Sequence, residues 1–116
     1  MENLWTKYAK VLVDYSVNVQ KGELTIIRTD SYQSAPLVRA IYKRVLERGG
    51  FPVVRMAVEG INEIFIKNAS DEQLEYIDPM LELEYDKAKN FISIGAPLNV
   101  KSMSKLDSKK LAKRSG

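Results

Sequence analysis

The alternation of short β-branched runs with helical patterns predicts an α/β fold in three layers, a small parallel sheet flanked by helices. Three observations carry that prediction. Leu24–Thr29 is apolar and β-branched, introduced by Lys21-Gly22-Glu23 and closed by Asp30-Ser31, as expected of a buried strand. Two later stretches, 52–58 and 90–96, have the same character. Helical patterns fill the intervals between them. Right-handed crossovers then put the first strand in the centre, with the order 2-1-3, and leave room for a fourth strand from further chain.

Before the first strand, Leu4, Tyr8, Val11, Leu12 and Tyr15 recur at helical spacing, widened by Trp5 and Val13, and predict a helix over 2–17 with that face inward. Lys7, Lys10 and Asp14 fall on the wet side. Val17, Val19 and Gln20-Lys21-Gly22 mark the helix end and a turn. After the strand, Ser34-Ala35-Pro36 reads as a helix start, because Ser can cap free amides and Pro is tolerated in a first turn. That helix buries Leu37, Val38, Ile41 and Val45, exposes Arg39, Lys43, Arg44 and Glu47, and stops at Gly49-Gly50.

The second strand has Pro52 only at its start, where a missing amide donor matters least. Ile61, Ile64 and Phe65 suggest a short helix. Ser70-Asp71-Glu72-Gln73 has capping-box spacing and opens another, Pro79 interrupts it, and the pattern resumes with Leu81, Tyr85 and Ala88 on one side. The third strand, around Phe91-Ile92-Ser93-Ile94, runs into a loop at 95–99. Asp107 or Ser108 could then cap a basic terminal helix bearing Leu106 and Leu111. The expected division is an α/β domain over 1–100 and, over 101–116, that helix or the start of a linker to a C-terminal catalytic domain.

Composition narrows the chemistry. A chain of 116 residues, 45% hydrophobic and 28% charged, suits one globular domain. With no cysteine there is neither a disulfide framework nor a thiolate zinc site, which fits a cytoplasmic location. With no histidine the commonest general base and the commonest metal ligand are both missing. No apolar run approaches the roughly 20 residues of a membrane helix. The pI near 9.1 comes from the tail. Residues 100–116 hold six basic residues against one acid, a net of +5, while the other 99 carry 12 basic and 14 acidic residues, a net of −2. A solvated or interdomain face explains that tail better than a nucleic-acid patch, since no aromatic groove accompanies it.

No Gly-x-Gly-x-x-Gly and no phosphate loop follows the first strand, where the residues are Thr29-Asp30-Ser31-Tyr32-Gln33-Ser34. Ser31 and Ser34 suit turns and caps, with anion binding as the other use of their position. The acidic groups Asp71-Glu72-Glu75 and Glu82-Glu84-Asp86 suit surface helices better than a metal site, since neither has a histidine to join it. Arg28 and Arg55 interrupt strands that are otherwise apolar, and read as solvated strand ends or anion contacts. These residues specify no catalytic, metal or cofactor-binding side chain. The strand carboxyl ends supply the candidate cleft-facing positions Thr29, Asp30, Ser31, Ser34, Pro97 and Asn99.

The order of Ala35-Pro36-Leu37-Val38, the passage Arg48-Gly49-Gly50-Phe51-Pro52-Val53-Val54-Arg55, Ala69-Ser70-Asp71-Glu72-Gln73-Leu74, Ala96-Pro97-Leu98-Asn99 and Asp107-Ser108-Lys109-Lys110 resembles the N-terminal domain of the aminopeptidase T type of thermophilic metallo-aminopeptidases. The resemblance covers almost the whole chain. It implies a parent that removes N-terminal amino acids from peptides, works as a homodimer, and uses two divalent ions (zinc, cobalt or manganese) to activate water and hold the substrate. The family's ligands are Glu, His, Tyr and Asp residues of the C-terminal domain. None maps onto this sequence, which would make it a truncated product or isolated domain without activity of its own. The alternatives are a stand-alone anion- or nucleotide-binding module using the same loops and, less favoured, a basic-tailed nucleic-acid-associated protein.

Overall fold

The computed structural model describes residues 3–95 and 99–105. Its strands are β1 (Leu24–Thr29), β2 (Phe51–Met56), β3 (Asn90–Gly95) and β4 (Asn99–Ser104), joined in one sheet of order β2-β1-β3-β4. β1 pairs in parallel with β2 and β3 on either side, as the sequence predicts, and β4 runs antiparallel along β3. Apolar side chains on both faces of β1 explain its centrality: Ile26 and Ile27 are both buried.

One face of the sheet carries the main core. Ile27 stands in register with Val54 and Ile92, and Leu37, Val38, Ile41 and Val45 of α2 (Ala35–Glu47) close over them. These four are the positions predicted to face inward. Gly49, at φ +82°, turns the chain out of the helix. Gly50 serves differently, since a Cβ there would lie 2.7 Å from a Val19 methyl.

The first helix turns in only part of the predicted face: Trp5, Leu12 and Val13 meet the core as expected, and Leu4, Tyr8, Val11 and Tyr15 do not. α1 (Leu4–Lys10), capped by Asn3 Oδ1 accepting from the Thr6 amide, continues as a π-helical segment over Val11–Ser16. Its inward residues are Ala9, Leu12, Val13 and Val17, with Trp5 against the same core, whereas Leu4 and Tyr15 are 76% and 80% exposed and Tyr8 and Val11 are also exposed. Two apolar stripes run along this helix. The stripe with Ala9 wins, a small residue that permits close approach to α2, and the wider π turn then brings Val13 inward beside Leu12. Asp14, predicted to face water, instead accepts two hydrogen bonds from Arg44 of α2, at 2.9 and 2.7 Å.

Between β2 and β3 the chain forms α3 (Ile61–Asn68), α4 (Asp71–Glu75) and α5 (Pro79–Lys87), none of which contains a buried residue. α4 opens with the predicted capping box: Gln73 N–H donates to Ser70 Oγ, and Ser70 N–H to Gln73 Oε1. α5 reaches the sheet through Tyr85, stacked 5.6 Å from Phe91, and through Glu84, paired with Arg55 at 3.0 Å.

β4 spans the boundary expected at residue 100 and takes Asn99 out of the expected loop. Residues 101–104, read as tail, are sheet, so the fourth strand comes from within this sequence. Its alternation is hard to see because the inward positions are Val100, Ser102 and Ser104, only one of them apolar. Leu106, Asp107, Ser108 and the expected terminal helix lie outside the described residues.

Candidate functional site

In an open parallel sheet the connections leave a crevice outside the strand carboxyl ends, at the point where neighbouring strands are reached in opposite directions. Here the chain leaves β1 for β2 on one side while β3 lies on the other, which puts that point between β1 and β3. A recess of about 400 Å³ opens there, bounded by Arg28, Asp30, Ser93, Gly95, Asn99 and Lys101.

The predicted cleft residues divide into two groups. Thr29 and Ser34 are buried and engaged with each other, their hydroxyl oxygens 2.7 Å apart. Ser34 Oγ donates to the Ser31 carbonyl at 2.6 Å, and the Ser31 amide donates to Thr29 Oγ1 at 3.1 Å. These bonds close the corner between β1 and α2 and leave neither hydroxyl open to a ligand. Ser34 makes no side-chain bond to the amides of α2, so its role is the corner rather than the cap. Asp30 and Asn99, by contrast, are exposed where they line the recess, which the buried Thr29 also borders. Pro97 lies outside the described residues.

Register adds what the sequence reading missed. Arg55, Arg28, Ser93 and Lys101 are successive partners across all four strands, and so share one sheet face. Arg55 is neutralised by Glu84. Arg28 and Lys101 stand on either side of the short Ser93, and among the described residues neither side chain makes a hydrogen bond or ion pair. Arg28 was legible as an anomaly in an apolar strand. Lys101 was not, because it reads as one lysine among many in a basic tail.

The donor set does not suit a pair of divalent ions. The sequence has no histidine or cysteine, and among the described residues no three Asp or Glu side chains come together. Asp71, Glu72, Glu75, Glu82 and Asp86 are exposed on α4 and α5, and Glu84 is committed to Arg55. Among the described residues no helix is long and apolar enough to cross a membrane.

No curated relative matches the chain. The family model described as thermophilic metalloprotease (M29) matches residues 1–116, the entire sequence. The resemblance read from the proline, glycine and capping landmarks and this match agree, and the chain belongs to the thermophilic metalloprotease (M29) family of aminopeptidase T type.

Proposed function

We propose that this chain is the non-catalytic N-terminal domain of a metal-dependent aminopeptidase whose full-length form releases N-terminal amino acids from peptides. The carboxyl ends of β1 and β3 shape one wall of the substrate cleft, and a C-terminal catalytic domain holds two divalent ions in a homodimeric, cytoplasmic enzyme. One conjunction supports this reading: a metallopeptidase match over residues 1–116 falls on a chain without histidine or cysteine, in which no carboxylate cluster forms among the described residues. The exposed apolar side chains of α3 to α5, such as Ile64, Leu74 and Leu83, offer a surface for that domain to cover.

The purified 116-residue chain is expected to leave an aminoacyl anilide intact with zinc, cobalt or manganese added. Metal-dependent release of the aniline by this chain would overturn the non-catalytic role.

A further inference from the structure

The recess between β1 and β3 carries charges of both signs in a fixed order. Arg28 and Lys101 flank Ser93 on adjacent strands, so their backbones lie about 10 Å apart and both side chains can converge over the serine hydroxyl. Two cations over a hydroxyl floor match the donor pattern that a carboxylate accepts. Asp30 lines the same recess, two residues beyond Arg28 along the chain. Its carboxylate opposes a dianion such as phosphate and favours a ligand with a positive charge close to its negative one. No glycine-rich turn of the kind phosphate sites use follows β1, and the Thr29 and Ser34 hydroxyls there bond each other. Gly95 lines the β3 end of the recess, where a Cβ would lie 3.6 Å from the Asn99 carbonyl oxygen.

We propose that this recess binds a free α-amino acid as its zwitterion, the carboxylate between Arg28 and Lys101 over the Ser93 hydroxyl and the ammonium on Asp30. Both main-chain charges are used, and a recess of about 400 Å³ leaves room for a side chain. Binding stands on the recess alone. Its meaning, a holding place for the amino acid that peptide cleavage releases, rests on the aminopeptidase reading above.

The test is a titration of the isotopically labelled 116-residue chain, followed by amide NMR, with L-alanine, alaninamide, N-acetylalanine and inorganic phosphate. L-Alanine is expected to shift the signals of residues 28–30 and 93–95 saturably, with alaninamide and N-acetylalanine weaker by about tenfold or more. R28A, K101A and D30N should each weaken L-alanine by a similar factor while keeping the dispersed spectrum of the folded chain, because all three side chains are exposed. No saturable shift at millimolar L-alanine, or equal affinity for N-acetylalanine, would overturn the proposal. Phosphate binding that tightens in D30N would replace it with a plain anion site. The titration contains no metal and no scissile bond, so its failure leaves the peptidase reading intact, and anilide cleavage would sink that reading without touching the titration.

Discussion

Arg44 and Asp14 join α2 to the π-helical segment that follows α1 through a two-pronged guanidinium-carboxylate contact, with Arg48 Nε 3.8 Å from the same carboxylate. Arg44 holds the Asp14 carboxyl below the usual range, chiefly by hydrogen bonding; partial burial opposes this, and the charges of Arg44, Arg48 and Lys10 reinforce it. A group with a lowered folded pKa contributes stability in full above its unfolded value, and loses it as pH falls through the folded one. D14N is therefore expected to destabilise the chain by about 1 to 3 kcal/mol at neutral pH. Urea midpoints of the two proteins should converge only below about pH 4. At the same scale, the Thr29, Ser31 and Ser34 triad shows why a hydroxyl beside a cleft need not serve it. A buried hydroxyl needs a partner, and here the neighbouring hydroxyl and carbonyl provide one.

Between elements, the link from α2 to β2 is the most constrained. Gly49 needs its left-handed backbone, and Gly50 needs its lack of a side chain. An alanine Cβ at Gly50 would meet Val19 Cγ1 at 2.7 Å, Val45 Cγ1 at 3.0 Å and the Glu23 carbonyl at 3.1 Å. G50A should lower stability by about 1 to 3 kcal/mol through overpacking, measured by urea denaturation. G49A should lose about 1 to 2 kcal/mol through backbone conformation instead. α2 was readable because every buried position is apolar and the period is unbroken over Leu37, Ile41 and Val45, and β1 because each of its buried residues, Thr25, Ile26, Ile27 and Thr29, is β-branched. α1 was misread because its apolar residues fill more than one stripe, and periodicity alone cannot choose which stripe meets the sheet. β4 escaped notice because serines occupy two of its inward positions.

Taken whole, the molecule is packed unequally on its two sides. Leu12, Val13, Ile27, Leu37, Ile41 and Ile92 form a continuous core under α1 and α2, whereas α3, α4 and α5 contribute no buried residue. Amide hydrogen exchange should therefore be slowest in β1 and α2 and much faster across α3 to α5, since local opening exposes little additional apolar surface there. Equal protection of the two sides would contradict this division.

By itself, the sequence determined the α/β class, the central place of Leu24–Thr29, the helix that covers it and the family, because each depends on local patterns of apolar residues, glycines and caps. It also excluded histidine and cysteine chemistry. Only the tertiary structure decided that Asp30 and Asn99 share a recess, while the hydroxyls of the buried Thr29 and Ser34 are turned to each other. Likewise, only strand pairing places Arg28 beside Ser93 and Lys101, which lie in strands much later in the chain. The physical reason is register: neighbours across a sheet are set by hydrogen bonds between strands, and a shift of one residue in any of the three strands would send its side chain to the opposite face and break up the group.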